Sequence, residues 1–193
     1  MKIRIAGKND AQAIADIYSY YVENTAITYE YTPPSAEEME QRIIKTLKRY
    51  PYLVLEERGE IKGYAYAGPL VDRRAADHSA EVSIYLKNGE QKKGYGGALY
   101  KALEDALKMQ NVINLCAAIA HAEEEDEYLT NNSVDYHRHL GYRQVGEFDK
   151  CGYKFGRWYN LVWMEKLLGA HTNEPKDFIP FPLVRDAFAE KIK

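Results

Sequence analysis

Cysteine is nearly absent: Cys116 and Cys151 are the only two in 193 residues, they lie far apart, and they form no C-x-x-C pair. That removes the spacing of a redox or metal-binding pair, and both are expected as reduced, buried thiols. Long apolar runs are absent too. None approaches the length of a membrane span, and Met1-Lys2-Ile3-Arg4 has no signal-peptide core, so the expected compartment is the cytoplasm with no membrane partner. Nor is there an excess of positive charge. With 26 Lys and Arg against 29 Asp and Glu the net charge is -3, which argues against general nucleic-acid binding and leaves room only for a small basic ligand pocket. Nothing suggests a repeat array.

What is present is an ordinary soluble composition, 46% hydrophobic and 28% charged, in a length that suits one domain plus an appendage. Seventeen tyrosines suit either a pocket lined by amphipathic rings or an aromatic core. Ile3 to Ala6 reads as a first strand, and Asn9 with Gln12 as the capping box of a helix carrying Ile14, Ile17, Tyr18 and Tyr21 on one face. Pro33-Pro34-Ser35 introduces a second helix, with Ser35 and Glu38 as its capping box and Met39, Ile43, Ile44 and Leu47 as its stripe. Tyr52 to Glu57 and Ile61 to Ala67 have the pattern of an antiparallel hairpin turning at Arg58-Gly59-Glu60. In Ser79 to Leu86, Glu81, Ser83 and Tyr85 alternate with Val82, Ile84 and Leu86. A helix is expected from Ala98, with Leu99, Ala102, Leu103, Ala106 and Leu107 at spacings of three and four. Val112 to Ala120 reads as a central strand covered on both faces, and Glu123 to Glu127 as a solvated loop. Ser133 to Leu140 is a short helix stopped by Gly141, followed by strands at Tyr142 to Phe148 and Trp158 to Lys166. This order predicts a mixed α/β sheet with helices on its faces.

The chemistry centres on Gln91-Lys92-Lys93-Gly94-Tyr95-Gly96-Gly97. Three glycines in four positions allow positive φ and close approach of backbone N–H groups, and the following helix turns its N-terminus toward the loop. On these residues alone the stretch is either a tight turn or an anion cradle.

Five stretches, in order, resemble the GNAT superfamily of N-acetyltransferases, and within it the phosphinothricin and methionine-sulfoximine N-acetyltransferase branch. Glu81-Val82-Ser83-Ile84-Tyr85-Leu86 is similar to that branch's E-S-T-V-Y-V strand, and Gln91 to Gly96 fits the superfamily's Q/R-x-x-G-x-G/A loop. Ala65 to Pro69 followed by Arg73 resembles A-Y-A-G-P-x-x-x-R. Ser133 to Tyr142 resembles S-V-x-x-H-x-x-x-G-Y, and Gly152 to Trp158 resembles G-[FY]-K-x-G-x-W. The similarity covers residues 1–166. Residues 167–193 form a C-terminal extension whose apolar Phe178 to Val184 should dock on the domain or on a partner subunit.

The resemblance implies a GNAT fold: a mixed, largely antiparallel central sheet with helices on both faces, splayed between the cofactor strand and the next. It implies acetyl-coenzyme A as co-substrate, a small-molecule amine acceptor, a homodimer and no metal. Backbone groups of Ile84, Tyr85 and Leu86 would pair with the pantetheine arm. The loop residues Gln91, Lys92, Lys93, Gly94, Tyr95, Gly96 and Gly97 would hold the pyrophosphate, and Thr130, Asn132 and Ser133 would complete the cofactor site. Glu81 is the expected general base, its alternative being an ordinary salt-bridge partner; His137 is either the acid for the leaving thiolate or only a cofactor contact. Arg73 would grip the acceptor's carboxylate, and Tyr29 is a pocket wall or a core ring. The histidines at 137 and 139 lack companions for a metal site. Two departures stand out: Ala76 where the branch has tyrosine, and Thr130 where the superfamily has asparagine, with Asn131 or Asn132 able to substitute. A polyamine, an aminoglycoside or a protein N-terminus remains an alternative acceptor, as does a non-catalytic acyl-coenzyme A sensor.

Overall fold

Seven strands hydrogen-bond into one sheet in the computed structural model, which describes residues 1–192. They are β1 Lys2–Ile5, β2 Tyr52–Glu57, β3 Glu60–Pro69, β4 Ser79–Leu86, β5 Asn114–His121, β6 Arg143–Lys154 and β7 Arg157–Leu167, in spatial order β1-β2-β3-β4-β5-β7-β6. All neighbours are antiparallel except β4 and β5. That pair is parallel because the chain crosses between them through a helix, α3 Tyr95–Met109.

Strand alternation divides the core into two. On one face Tyr52, Val54 and Tyr64 pack against Ile14, Ile17 and Tyr18 of α1 Ala11–Asn24 and Met39 and Ile43 of α2 Ala36–Leu47. On the other, Leu53, Ala65, Ala80 and Val82 pack against Leu99, Leu103 and Leu107 of α3. Phe181 and Phe188 of α5 Phe181–Lys191 join this second cluster, both fully buried. Between β5 and β6 lies the short α4 Asn132–His139. Among the described residues no helix is long and apolar enough to cross a membrane.

The Ser35 and Glu38 capping box closes reciprocally, each side chain bonding the other's backbone N–H. The box expected of Asn9 and Gln12 does not form. Asp10 instead accepts from the Gly7 N–H at 2.8 Å and from two guanidinium nitrogens of Arg4, so a 3-10 turn precedes α1, and Gln12 bonds Asp16. A bidentate, charge-assisted pair outcompetes a neutral cap. Of the two thiols only Cys116 is buried. Cys151 is exposed because β6 runs on past Phe148 to Lys154 along the edge of the sheet. The acidic loop is not purely solvated either. Asp126 accepts from the Tyr128 and Leu129 amides and the Tyr159 hydroxyl, which ties the loop down.

Candidate active site

Parallel pairing between β4 and β5 lasts for three residue pairs and ends at Glu81 opposite Cys116. β4 nevertheless stays paired with β3 as far as Leu86, so its other side opens onto a gap. Which backbone groups face that gap follows from parity. The Lys87 N–H donates to Lys62 on the β3 side, and strand residues alternate the direction of their N–H and C=O groups. Glu81, Ser83 and Tyr85 therefore spend theirs on β3, whereas Ile84 and Leu86 turn theirs to the gap. The expected use of the Tyr85 backbone is thus corrected. The Leu86 carbonyl is already taken by the Tyr21 hydroxyl, leaving the Leu86 N–H and both groups of Ile84.

The glycine loop lies beyond the end of this strand. Lys92 and Gly94 have φ of 63° and 82°, so Gly94 is the position where left-handed backbone asks for glycine. Helix α3 begins at Tyr95, three residues earlier than expected, and Gly96 and Gly97 lie in its first turn. Gly96 answers a different demand: a Cβ there would stand 2.5 Å from the Tyr136 hydroxyl. That hydroxyl is buried under the loop without a partner. No side chain caps α3, so its first amides are free to meet an anion. Orphan amides, a glycine cradle and an unsatisfied hydroxyl fit a pyrophosphate at this place. Lys92 is exposed, Lys93 pairs with Glu90 at 2.7 Å, and the Gln91 side chain accepts from the Gly89 N–H.

Glu81 is half-buried at the point where the strands part, and burial pushes its carboxyl above the ordinary carboxylate range. On the same side of the sheet its β5 partner Cys116 has its thiol pushed up to about 11 by burial, with Glu165 and Glu81 adding to the shift. The thiol is therefore kept un-ionised.

His137 is buried with both ring nitrogens engaged: Nδ1 lies 2.7 Å from the Ser133 carbonyl and Nε2 2.7 Å from the Tyr100 hydroxyl. A carbonyl only accepts, so Nδ1 carries the proton and Tyr100 donates to Nε2. Burial lowers the histidine's pKa despite the helping bond from Ser133, which keeps the ring neutral. Its single ring proton points to the Ser133 carbonyl of α4, so of the two expected roles the acid has no free ring proton in this arrangement, and the ring holds Tyr100. Tyr100, His137, Ser133 and Ile84 line the gap together.

Other expected residues are scattered. Arg73 is exposed on the loop before β4, donating to the Asp72 carbonyl at 2.7 Å. Tyr29 bonds the Asn160 carbonyl, packs its ring over Gly152, and joins a satellite core with Ala120 and Tyr159; it is a core ring. Thr130 and Asn132 are exposed and bond each other, while Asn131 is committed to both backbone groups of Ala122. Tyr100 and Tyr136 were not expected. Tyr100 stands three before Leu103 and four after Gly96, so the helical stripe carried a signal for it. No local signal pointed to the contact of Tyr136 with Gly96.

The sequence matches the acetyltransferase (GNAT) domain over residues 3–163. A phosphinothricin N-acetyltransferase of Streptomyces viridochromogenes is 31% identical over 86% of this chain and 87% of its own length. An L-methionine sulfoximine/L-methionine sulfone acetyltransferase of Salmonella typhimurium is 32% identical over 89% of this chain and 97% of its own. Among solved structures, a GNAT superfamily phosphinothricin acetyltransferase from Sinorhizobium meliloti in complex with AcCoA superposes with a TM-score of 0.81 at 35% identity, covering 91% of this chain and 92% of that one. The match runs from β1 into β7 and includes the stretch where β4 parts from β5, and this chain belongs to the GNAT acetyltransferase family.

Proposed function

We propose that the protein transfers an acetyl group from acetyl-coenzyme A to the primary amine of a small amino-acid-like acceptor, by direct attack with both substrates bound. The observation that carries this reading is the parting of β4 from β5 at a half-buried carboxylate, beside a glycine loop and an uncapped helix N-terminus. Acetyl-coenzyme A supplies the activated acetyl group. Ile84 and the Leu86 N–H pair with the pantetheine amides as one strand edge pairs with another. The amides of Gly94 to Gly97 hold the pyrophosphate and Lys92 adds charge, while Ser133 lines the gap and Thr130 and Asn132 precede it at the start of α4. Glu81 takes the proton that the amine loses as the C–N bond forms, directly or through a water, and burial, by raising its pKa, makes it a stronger base than an exposed carboxylate. Tyr100, held by His137, lines the gap where the C–S bond breaks and the departing thiolate must regain a proton.

The names of the relatives supply the acceptor class: phosphinothricin and the sulfoximine and sulfone of methionine are small amino acids with one primary amine. Arg73, exposed on the loop that leads into β4, would hold the acceptor carboxylate. A polycation would meet this guanidinium unfavourably. We also infer a homodimer formed through β6, an edge strand that leaves Val145, Phe148 and Tyr153 exposed beside Trp158 of β7. A Phe148→Glu variant should then elute as a monomer. Two unpaired cysteines agree with the cytoplasm as compartment.

The test is thiol release from acetyl-coenzyme A with phosphinothricin, methionine sulfoximine, methionine sulfone, ordinary amino acids, a polyamine and an aminoglycoside. Release with the small amino acids is expected. Turnover confined to the polycations overturns the acceptor assignment, and cofactor binding with no release from any amine would mark a sensor.

A further inference from the structure

Beneath α2 lies a cavity of about 400 Å³, within the range of small-ligand sites. Its floor is a stack of tyrosines, with the rings of Tyr52 and Tyr66 4.9 Å apart and nearly parallel, and Arg42 and Thr46 of α2 with Arg49 of the turn after it form its wall. Tyr66 occupies the same face of the sheet as Glu81, because it alternates with Gly68 and Gly68 is the cross-strand partner of Glu81. Gly68 itself lines the cavity, and a Cβ there would meet nothing within 4 Å. Open space therefore lies over the one residue that separates Glu81 from the cavity.

The far end of the cavity is polar. Pro51 accepts from the Ala67 N–H, which puts Tyr50 and Arg49 on the other side of β3 from Glu81, about 10 Å away at two strand spacings. The Tyr50 hydroxyl and the Arg49 Nε are buried beside one another, and neither completes a hydrogen bond of ordinary geometry. The guanidinium is nonetheless fixed, by Asp77 at 2.5 Å and by the Phe178 ring 4.9 Å beneath it. Buried donors left unpaired are costly, and an oxygen brought by a ligand relieves them.

We propose that this cavity is the side-chain subsite of the acceptor, and that Arg49 and Tyr50 select a side chain ending in a hydrogen-bond-accepting oxygen. The inference rests on the acetyl transfer proposed above. With the amine at Glu81, the side chain runs over Gly68 and the Tyr66 ring to the two donors. A subsite of this kind discriminates strongly, because an analogue without the oxygen leaves the donors unpaired, whereas an apolar pocket loses little to a missing methylene.

The experiment compares methionine sulfone with methionine, which has the same skeleton without the two oxygens, in the wild type, Tyr50→Phe and Thr46→Phe. Tyr50→Phe removes a hydroxyl whose one polar neighbour, Arg49, is held independently by Asp77, so its melting temperature should change little. The ratio of kcat/KM for the sulfone to that for methionine should fall about tenfold. Thr46→Phe fills the cavity from α2 and should raise the KM for the sulfone about tenfold while the KM for acetyl-coenzyme A holds. An unchanged ratio in Tyr50→Phe overturns the selection, and an unchanged acceptor KM in Thr46→Phe overturns the subsite. A wild type that releases no thiol with any amino acid instead refutes the acetyl-transfer reading, and this inference with it.

Discussion

Glu81 and His137 are both buried titratable groups, and burial moves them in opposite directions. A carboxyl whose folded pKa is raised favours the protonated state, so the fold loses stability as pH rises through that pKa. Glu81→Gln should therefore lower kcat while leaving the KM for acetyl-coenzyme A near its original value, and should raise the melting temperature at pH 7 but not at pH 4. Kinetics and thermal melts at the two pH values check this; an equal shift at both would sink the electrostatic account. For His137 the depressed pKa means that stability is fully present above the ordinary histidine value of about 6.5 and is lost progressively as pH falls below it toward the lower folded pKa. Melts between pH 7 and 5.5 should show the loss, and His137→Gln should flatten it. The placing of Glu81 opposite Val82 was legible in strand alternation. The partner of His137 was not, because Tyr100 lies 37 residues away on another helix.

In the glycine loop the three glycines look alike as letters and serve different ends. Gly94 supplies a left-handed φ, Gly96 admits the Tyr136 hydroxyl, and Gly97 sits in helical backbone where a Cβ meets nothing within 4 Å. Gly97→Ala should accordingly stabilise the protein by about 0.5–1 kcal/mol through the entropy of the unfolded chain. Gly96→Ala should destabilise it, since Tyr136 must move. Urea titrations of the two variants decide, and a common sign would show that the two positions are not distinguished by packing. Helix periodicity predicted α3 from Ala98 onward, and missed its first turn because glycines carry no hydrophobic pattern and are poor helix formers on their own. The Ser35 and Glu38 box was legible because it is completed within four residues. The box of Asn9 and Gln12 failed because Arg4, six residues before Asp10 on β1, offered that carboxylate a stronger bond.

Across the whole molecule, the C-terminal segment closes the second core. Phe181 and Phe188 are fully buried with α3, the Phe181 N–H bonds the Arg49 carbonyl, and the Gln110 side chain bonds both Arg49 and Ile179. Phe188→Ala should cost about 3–5 kcal/mol in denaturant unfolding, the usual price of an emptied aromatic site. Removing residues beyond Leu168 should also loosen Arg49, which rests on Phe178, and raise the acceptor KM more than the KM for acetyl-coenzyme A. A truncated chain with unchanged melting temperature and unchanged KM values would contradict this.

By itself the sequence determined the elements and their order, the position of Glu81 on its strand, and the place of the glycine loop before a helix. These depend on periodicity, capping and turn chemistry that act within a few residues. Only the tertiary structure decided where β4 leaves β5, which backbone groups of β4 face the gap, that His137 holds Tyr100, and that a tyrosine-floored cavity reaches from Gly68 to Arg49. Each of these is a matter of register or packing between segments far apart in the chain, and the side chains involved have no local pattern that sets them apart from ordinary core.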